Sequence, residues 1–302
     1  MIEVSSCVIC AGKIRHLKRA MVAPFLSWRI WKSASPIFVN LVRCEACGFV
    51  FYNPRLDDTE LHREYGNYRS SEYLEMRNSF EPWYTEKFNA SLASDQHYAT
   101  RRAKLIPLLR YHLGDRKIER ILDYGGDHGD LMIGLIEDAE LFLFDISEAN
   151  AADGVKPIRD PAACRADLII NSNVLEHVGF PRSLVNQILQ AAPEGGLLFF
   201  EVPSESPLGL KRIIRRAAQI GITAFGRPRF AAQITNAAAL YMMHEHINFF
   251  TENCLTTLLH SCGASVIASG SYPLVSPAGN EKVAWCLARK NNISSPESCY
   301  DH

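Results

Sequence analysis

The stretch ILDYGGDHGD, residues 121–130, decides the fold. Apolar letters run into two glycines and a third follows at 129, the order of a buried strand, a tight turn and the opening of a helix. This spacing predicts a strand over 118–124, a turn over 125–129 and a helix from about Asp130. In a dinucleotide site such a turn reads G-x-G-x-x-G, and its amides meet a pyrophosphate. Here Gly125, Gly126 and Gly129 are surrounded by Asp123, Asp127 and Asp130. Those carboxylates repel a pyrophosphate. They suit a ligand that carries an ammonium and a sulfonium, because opposite charges attract strongly in a partly dry cleft.

Around that turn, short apolar runs alternate with helical ones: LFLFDIS, ADLIINSNV, RSLVNQILQAA, GLLFFEVP, CLTTLLHSCG, SVIASGSY and KVAWCLARK. Strands that are nearly all apolar, separated by helices, imply an α/β fold with a parallel sheet buried on both faces. We expect a Rossmann-like, doubly wound core with a mostly parallel seven-stranded sheet. Its ligand belongs at the carboxyl ends of the strands, where the topology changes direction.

The ordered motifs resemble those of class I methyltransferases. Residues 121–129 resemble the family's first motif, an acidic residue followed by glycines. Asp145 ends the next strand twenty-two residues after Asp123, and NVLEHV resembles the fourth motif, beside the methyl donor. The resemblance implies S-adenosylmethionine as cofactor, held by Asp123, Gly125, Gly126 and Gly129, with Asp145 on the ribose hydroxyls. Asn171 and Asn173 either hydrogen-bond the donor or close a turn. Asp127 stands where the family usually has glycine.

Two C-x2-C pairs, Cys7/Cys10 and Cys44/Cys47, open the chain. Two residues between thiols let a tight turn aim both sulfurs at one ion, and two such turns complete the four-thiolate shell that zinc accepts. Gly12 and Gly48 follow their pairs, where a positive φ is easiest for glycine. LVRCEACGFVFYNP reads as strand, knuckle, strand, and FLSWRIWK as a helical insertion between the pairs. Four thiolates leave no open position, so this Zn2+ would be structural. The other reading is two unrelated thiol pairs or a redox dithiol. Cys164, Cys254, Cys262 and Cys286 read as core or surface residues, and Cys299 lies in a polar tail.

The chain has 302 residues, 47% hydrophobic and 22% charged, with a net charge of -1, a composition that excludes general nucleic-acid affinity. No apolar run approaches the roughly 20 residues that span a bilayer, and MIEVSSCVIC does not read as a secretion signal, so a cytoplasmic location is expected. The expected organisation is a small zinc-binding, ribbon-like module over 1–58, a helical connecting and capping segment over 59–117, and the core over 118–292. A lid insertion over 204–243 interrupts the core, and a disordered tail over 293–302 follows it. Tyr65, Tyr68, Tyr73, Trp83, Tyr84 and Tyr98 mostly read as packing, with one or two lining a pocket.

A second resemblance covers nearly the whole chain. The pattern C-x2-C…R-C-x2-C-G-x4-N-P-R, the core and HEHINFFTENCLTTLLHSCG are similar to methyltransferases of deoxysugar and polysaccharide pathways, notably sugar C-3 C-methyltransferases. This implies an acceptor that is a nucleotide-linked sugar or a glycan, with His177, Glu245 and His246 as the acid/base and substrate-holding set. Met243 replaces the tyrosine those C-methyltransferases carry two positions before the glutamate. His177, beyond the fourth strand and near the methyl group, reads as the general base, and a histidine base that deprotonates a sugar hydroxyl needs no such tyrosine, which favours O-methylation over C-methylation of a 4-keto sugar. A catalytically silent partner-binding module is the reading from another class. Lys211, Arg212, Arg215 and Arg216 share a helical period, giving either a solvated face, a lid that grips phosphates, or a weak membrane-surface contact through 208–219.

Overall fold

The computed structural model describes residues 1–68, 70–146, 150–226, 237–277 and 279–291. The amino-terminal part comprises β1 (Ile14–Met21), α1 (Pro24–Trp31), β2 (Phe38–Cys44) and β3 (Val50–Asn53). Four helices follow: α2 (Asp58–Tyr65), α3 (Ser71–Phe80), α4 (Glu86–Leu92) and α5 (Asp95–Leu113). Asp57 and Glu60 close a reciprocal capping box at the start of α2, satisfying two amides that a helix terminus otherwise leaves open.

Then come β4 (Arg120–Tyr124), β5 (Glu140–Phe144), β6 (Val155–Pro157), β7 (Leu168–Ser172), α6 (Pro181–Ala191), β8 (Leu197–Pro203) and α7 (Leu210–Gly226). The chain continues through β9 (Asn248–Phe249), α8 (Glu252–Ser261), β10 (Ala264–Ser276) and β11 (Gly279–Lys290). The expected tail and Cys299 lie outside the described residues, as do residues 227–236 of the expected lid and the side chains of Lys211, Arg212 and Arg215.

The seven-stranded sheet runs β10-β11-β8-β7-β4-β5-β6. Neighbours from β8 to β6 are parallel, and β11 is antiparallel to both β8 and β10. The expected Rossmann-like core is therefore present. β4 is followed on one side by β5 and on the other by β7, so the strand order reverses there, and sheets of this kind take their ligands beyond the carboxyl ends of the strands at such a point. Every residue of β8 is buried, as are four of five in β4 and in β7, which explains their apolar letters. α5 covers one face through Leu105 and Leu109, while α6 and α8 cover the other through Val185, Ile188, Leu255 and Leu258.

One expectation fails at the turn itself. No α-helix begins at Asp130; only a 3-10 turn, Asp130–Met132, separates β4 from β5 among the described residues. Gly134 at φ 72° and Asp138 at φ 59° are both left-handed, and two such residues break the ladder before a helix can propagate.

A second, antiparallel sheet runs β1-β2-β3-β9. Its last strand comes from far along the chain, pairing Val50 with Phe249 and Phe51 with Asn248. α1 confirms the helical insertion, and Gly48 takes its expected left-handed φ of 77°. At the other knuckle Ala11, at φ 59°, makes the turn in place of Gly12. Gly12 is there for room: a Cβ would lie 2.9 Å from the Ala46 Cβ and 3.1 Å from the Cys44 Sγ.

Candidate active site

The glycine turn is built around a buried acid. Asp123 is 1% exposed, and a Cβ on Gly126 would fall 2.1 Å from its carboxyl, so only glycine lets the backbone cross there. Burial, reinforced by Asp145, Glu201 and Asp127, pushes the Asp123 carboxyl up to about 7 despite Arg101. Its Oδ1 has no hydrogen-bond partner. Gly125 (φ 87°) donates to the Phe144 carbonyl at 2.7 Å, and a Cβ there would meet Val174 Cγ2 at 2.8 Å.

Asp127, the departure from glycine, also has a left-handed φ of 58°. Aspartate tolerates that region better than most residues, and the conformation gives the physical reason a glycine suits the position. The Asp127 amide donates to Asp145 Oδ2 at 2.9 Å, so the acid after β5 closes the turn. Asn171 donates through Nδ2 to the Tyr124 carbonyl at 2.7 Å and leaves a buried Oδ1 unpartnered. Asn173, exposed and at φ 55°, donates its amide to the Glu201 carbonyl. Two buried acceptors without donors, Asp123 Oδ1 and Asn171 Oδ1, thus stand near the carboxyl ends of β4 and β7. They fit a cationic, hydrogen-bond-donating ligand.

The loop after β7 leads from this turn to the histidines. Val174 touches Gly125, and three residues later His177 faces His246 with ring centroids 4.8 Å apart. His177 Nδ1 lies 3.0 Å from the Glu245 carbonyl and 2.8 Å from Tyr65 Oη. Burial, with His246 adding to it, lowers its pKa to about 3, so the ring is neutral. Glu176, 1% exposed, is pushed up to about 7 by burial, and its Oε2 has no partner. His246 Nδ1 sits 3.4 Å from Glu205 Oε2.

Glu245 differs from the two imidazoles. Its carboxylate accepts from Arg77 at 2.7 and 3.1 Å and from Tyr73 Oη at 2.8 Å. Burial opposes ionisation, but Arg77 and His244 hold the group well below the usual carboxylate range. Glu81 accepts from Arg77 at 3.0 Å and pairs with His244 at 2.7 Å. The expected trio is thus brought together, with Glu245 turned into a charged network that α3 supplies.

Arg55, of the NPR motif, binds the two loops to each other. It is 1% exposed and donates to the Gly179, Tyr52 and Val178 carbonyls at 2.7, 2.8 and 3.0 Å, to Asn248 Oδ1 at 2.6 Å and to the Ile247 carbonyl at 3.4 Å. The sequence alone does not single out Arg55, Arg77 or Glu81, and gives Tyr65 and Tyr73 no individual role. The R-C-x2-C-G-x4-N-P-R pattern was the available signal for Arg55.

The four amino-terminal cysteines converge, with Cys7 and Cys47 sulfurs 3.8 Å apart, Cys10 and Cys44 3.5 Å, and Cys10 and Cys47 3.4 Å. Tetrahedral Zn–S bonds of about 2.3 Å set sulfurs roughly 3.8 Å apart, so the donor set fits one such ion. The knuckles rest on α8: Ser261 Oγ donates to the Ile9 carbonyl at 2.8 Å, and Cys254 Sγ to the Cys47 carbonyl at 3.4 Å.

A family model described as a methyltransferase domain matches residues 96–269. Among solved structures, the chain is similar to the N-methyltransferase NodS of Bradyrhizobium japonicum in complex with S-adenosyl-L-homocysteine, at 15% identity and a TM-score of 0.41, covering 70% of this chain and 98% of that one. It is also similar to the 1,6-didemethyltoxoflavin-N1-methyltransferase of Burkholderia thailandensis, at 17% identity and a TM-score of 0.43, covering 68% and 86%. No curated protein matches the chain.

Proposed function

From the premise that this chain belongs to the methyltransferase-domain family and is an S-adenosylmethionine-dependent methyltransferase, we propose that it methylates a sugar hydroxyl of a nucleotide-linked sugar or glycan. The observation that carries the proposal is the single loop after β7, which touches the glycine turn at Val174 and presents His177 to His246. It joins a donor site to an imidazole face suited to an alcohol.

S-adenosylmethionine, when bound, supplies a methyl group already activated on a sulfonium. Asp123, Gly125, Gly126 and Gly129 would form its cradle, Asp145 would accept from the ribose hydroxyls, and Asn171 and Asn173 would meet the remaining polar edges. At the acceptor side, the neutral His177 positions the hydroxyl, and His246, backed by Glu205 at 3.4 Å, takes its proton. Glu245, held by Arg77 and Tyr73, orients the His177 ring, since its backbone carbonyl meets His177 Nδ1. Cys7, Cys10, Cys44 and Cys47 would hold a structural Zn2+ and contribute folding energy.

C-methylation of a 4-keto sugar stands as a second reading because of one observation. Met243 is buried in the core, yet tyrosine hydroxyls reach the same face from α2 and α3, Tyr65 on His177 and Tyr73 on Glu245. The phenol missing at position 243 is thus available from elsewhere.

We also read 1–58, 59–117 and 118–292 as the functional segments, with the insertion 204–243, of which 227–236 lie outside the described residues, in the role of a lid, and a cytoplasmic location. Among the described residues, no helix is long and apolar enough to cross a membrane. The test is transfer of labelled methyl from S-adenosylmethionine to a panel of nucleotide-sugars, with the position of the label read by NMR. Label on oxygen supports the hydroxyl reading, and label on carbon of a keto sugar supports the second. In His177→Ala, turnover should collapse while calorimetry shows donor affinity near that of the parent; retained turnover would move the reactive face away from His177.

A further inference from the structure

The geometry points to a divalent transition-metal site on the acceptor face, formed by Glu176, His177 and His246 and separate from the four cysteines. One ligand atom from each of these three residues lies within 4.8 Å of the others. Ligands bound at about 2.0–2.2 Å to one ion sit roughly 3–4 Å apart, so rotamer adjustments of about 1–2 Å complete the site. The donor set, two imidazoles and one carboxylate, leaves coordination positions open for a substrate oxygen, as in catalytic sites and unlike the closed four-thiolate shell.

Hydrogen-bond arithmetic gives an independent reason. The Glu245 carbonyl can only accept, and Tyr65 Oη, 2.8 Å from the same nitrogen, can accept as well as donate, so the tautomer with the proton on His177 Nδ1 satisfies both contacts. In the neutral ring, Nε2 then carries a lone pair, and it faces Glu176 Oε1 at 3.7 Å. Glu176 is 1% exposed and its Oε2 has no donor. Two acceptors therefore confront each other in a buried place, an arrangement that is costly unless a cation lies between them.

The surroundings match those of a metal ligand set. A coordinating histidine usually gives its second ring N–H to a carbonyl or carboxylate, which fixes the tautomer. His177 does so to the Glu245 carbonyl, and His246 Nδ1 faces Glu205 Oε2 at 3.4 Å. Arg55 fastens the backbone beside both, at Val178 and Ile247, so the ligands come from a rigid frame.

This inference rests on the reading of the histidine face as the acceptor site, and it alters what the imidazoles do there. With the cation bound they are ligands, coordination makes the acceptor hydroxyl more acidic, and the proton it loses passes to bulk water.

Cobalt(II) titrated into the full-length protein, without donor or acceptor, tests the site. Cobalt in a four-thiolate shell shows thiolate-to-metal charge-transfer absorption in the near ultraviolet; a His2Glu site shows only weak visible bands. Expected is about two cobalt ions per chain, one of each spectral type. Glu176→Gln and His246→Ala should each lose the second ion and keep the thiolate band, which also reports that the variant is folded. Binding of thiolate-type cobalt alone would overturn the inference, and would leave a proton shared between Glu176 and His177. Survival of the second ion in both variants would overturn it too. Methyl transfer measured with and without the second ion separates this from the acceptor reading. Turnover unchanged by the ion removes the metal's part and leaves that reading standing; transfer to no sugar, with a bound second ion, removes the reading and leaves the metal site.

Discussion

Replacing Arg55 with alanine should be the most damaging single change outside the reacting groups. The guanidinium makes five hydrogen bonds, four to backbone carbonyls and one to Asn248 Oδ1, from a position only 1% exposed. No carboxylate is among these partners, and burial alone lowers its pKa to about 9, so the charge is held by dipoles. Each charge-assisted bond is worth about 1.5–3 kcal/mol, and water entering the vacated space restores part of that, leaving a net cost of about 3–5 kcal/mol. With an unfolding entropy of roughly 0.6 kcal/mol/K for 302 residues, the melting temperature should drop by about 5–8 °C.

Turnover should fall further than stability suggests. Arg55 ties the backbone at Val178 and Gly179 to that at Ile247 and Asn248, next to His177 and His246. A displacement near 1 Å between two reacting groups costs roughly a hundredfold in rate. Donor affinity, set at the glycine turn, should hold. Arg55→Lys keeps the charge but offers three donors without the planar fork, and should recover less than half of either loss. Thermal unfolding and a labelled-methyl assay read both. An alanine variant that melts within about 2 °C of the parent with undiminished turnover would refute the reasoning.

Three other outcomes are expected. Asp123, raised to about 7 in the folded protein against about 3.9 unfolded, contributes stability that is complete below the unfolded value and lost as pH rises through 7; the donor-free protein should therefore weaken from pH 5 to 8, and Asp123→Asn should flatten that slope in thermal melts. Asp145→Ala removes both the proposed ribose acceptor and the cap on the Asp127 amide, and should weaken S-adenosylmethionine binding at least about tenfold by calorimetry; unchanged affinity would free that strand end of its role. Cys44→Ser should lower zinc content by about one ion per chain in elemental analysis and reduce the yield of folded protein, whereas a folded parent with no zinc at the cysteines would end that assignment.

What the sequence disclosed was local. β4, β7 and β8 are buried on both faces, so their letters are nearly all apolar, and the glycine turn keeps its spacing because Asp123 lies directly beneath Gly126. The knuckle spacing likewise sets both sulfurs of each pair from within four residues. What stayed hidden was held by contacts across long stretches of chain. Arg77 reaches Glu245 and Arg55 reaches Asn248 across more than half of the sequence; the N-P-R pattern marks Arg55 without its partners, and nothing beside Arg77 announces it. The missing helix after Asp130 is a different failure: DLMIGLIED has a helical pattern, but the left-handed backbone at Gly134 and Asp138 overrides it.

The late arrival of β9 has a consequence for synthesis. β1, β2 and β3 leave the ribosome with residues 1–53, but the strand that completes their sheet sits at 248–249. At about 5–20 residues per second, β3 waits on the order of ten seconds or more for its neighbour, with its backbone edge unpaired. During that interval the cysteine knuckles can close together with the β1–β2–β3 pairing, since all four thiols have already emerged. Early capture of a metal would therefore hold the half-finished sheet in register until the histidine loop, carried on the same late segment, docks against it.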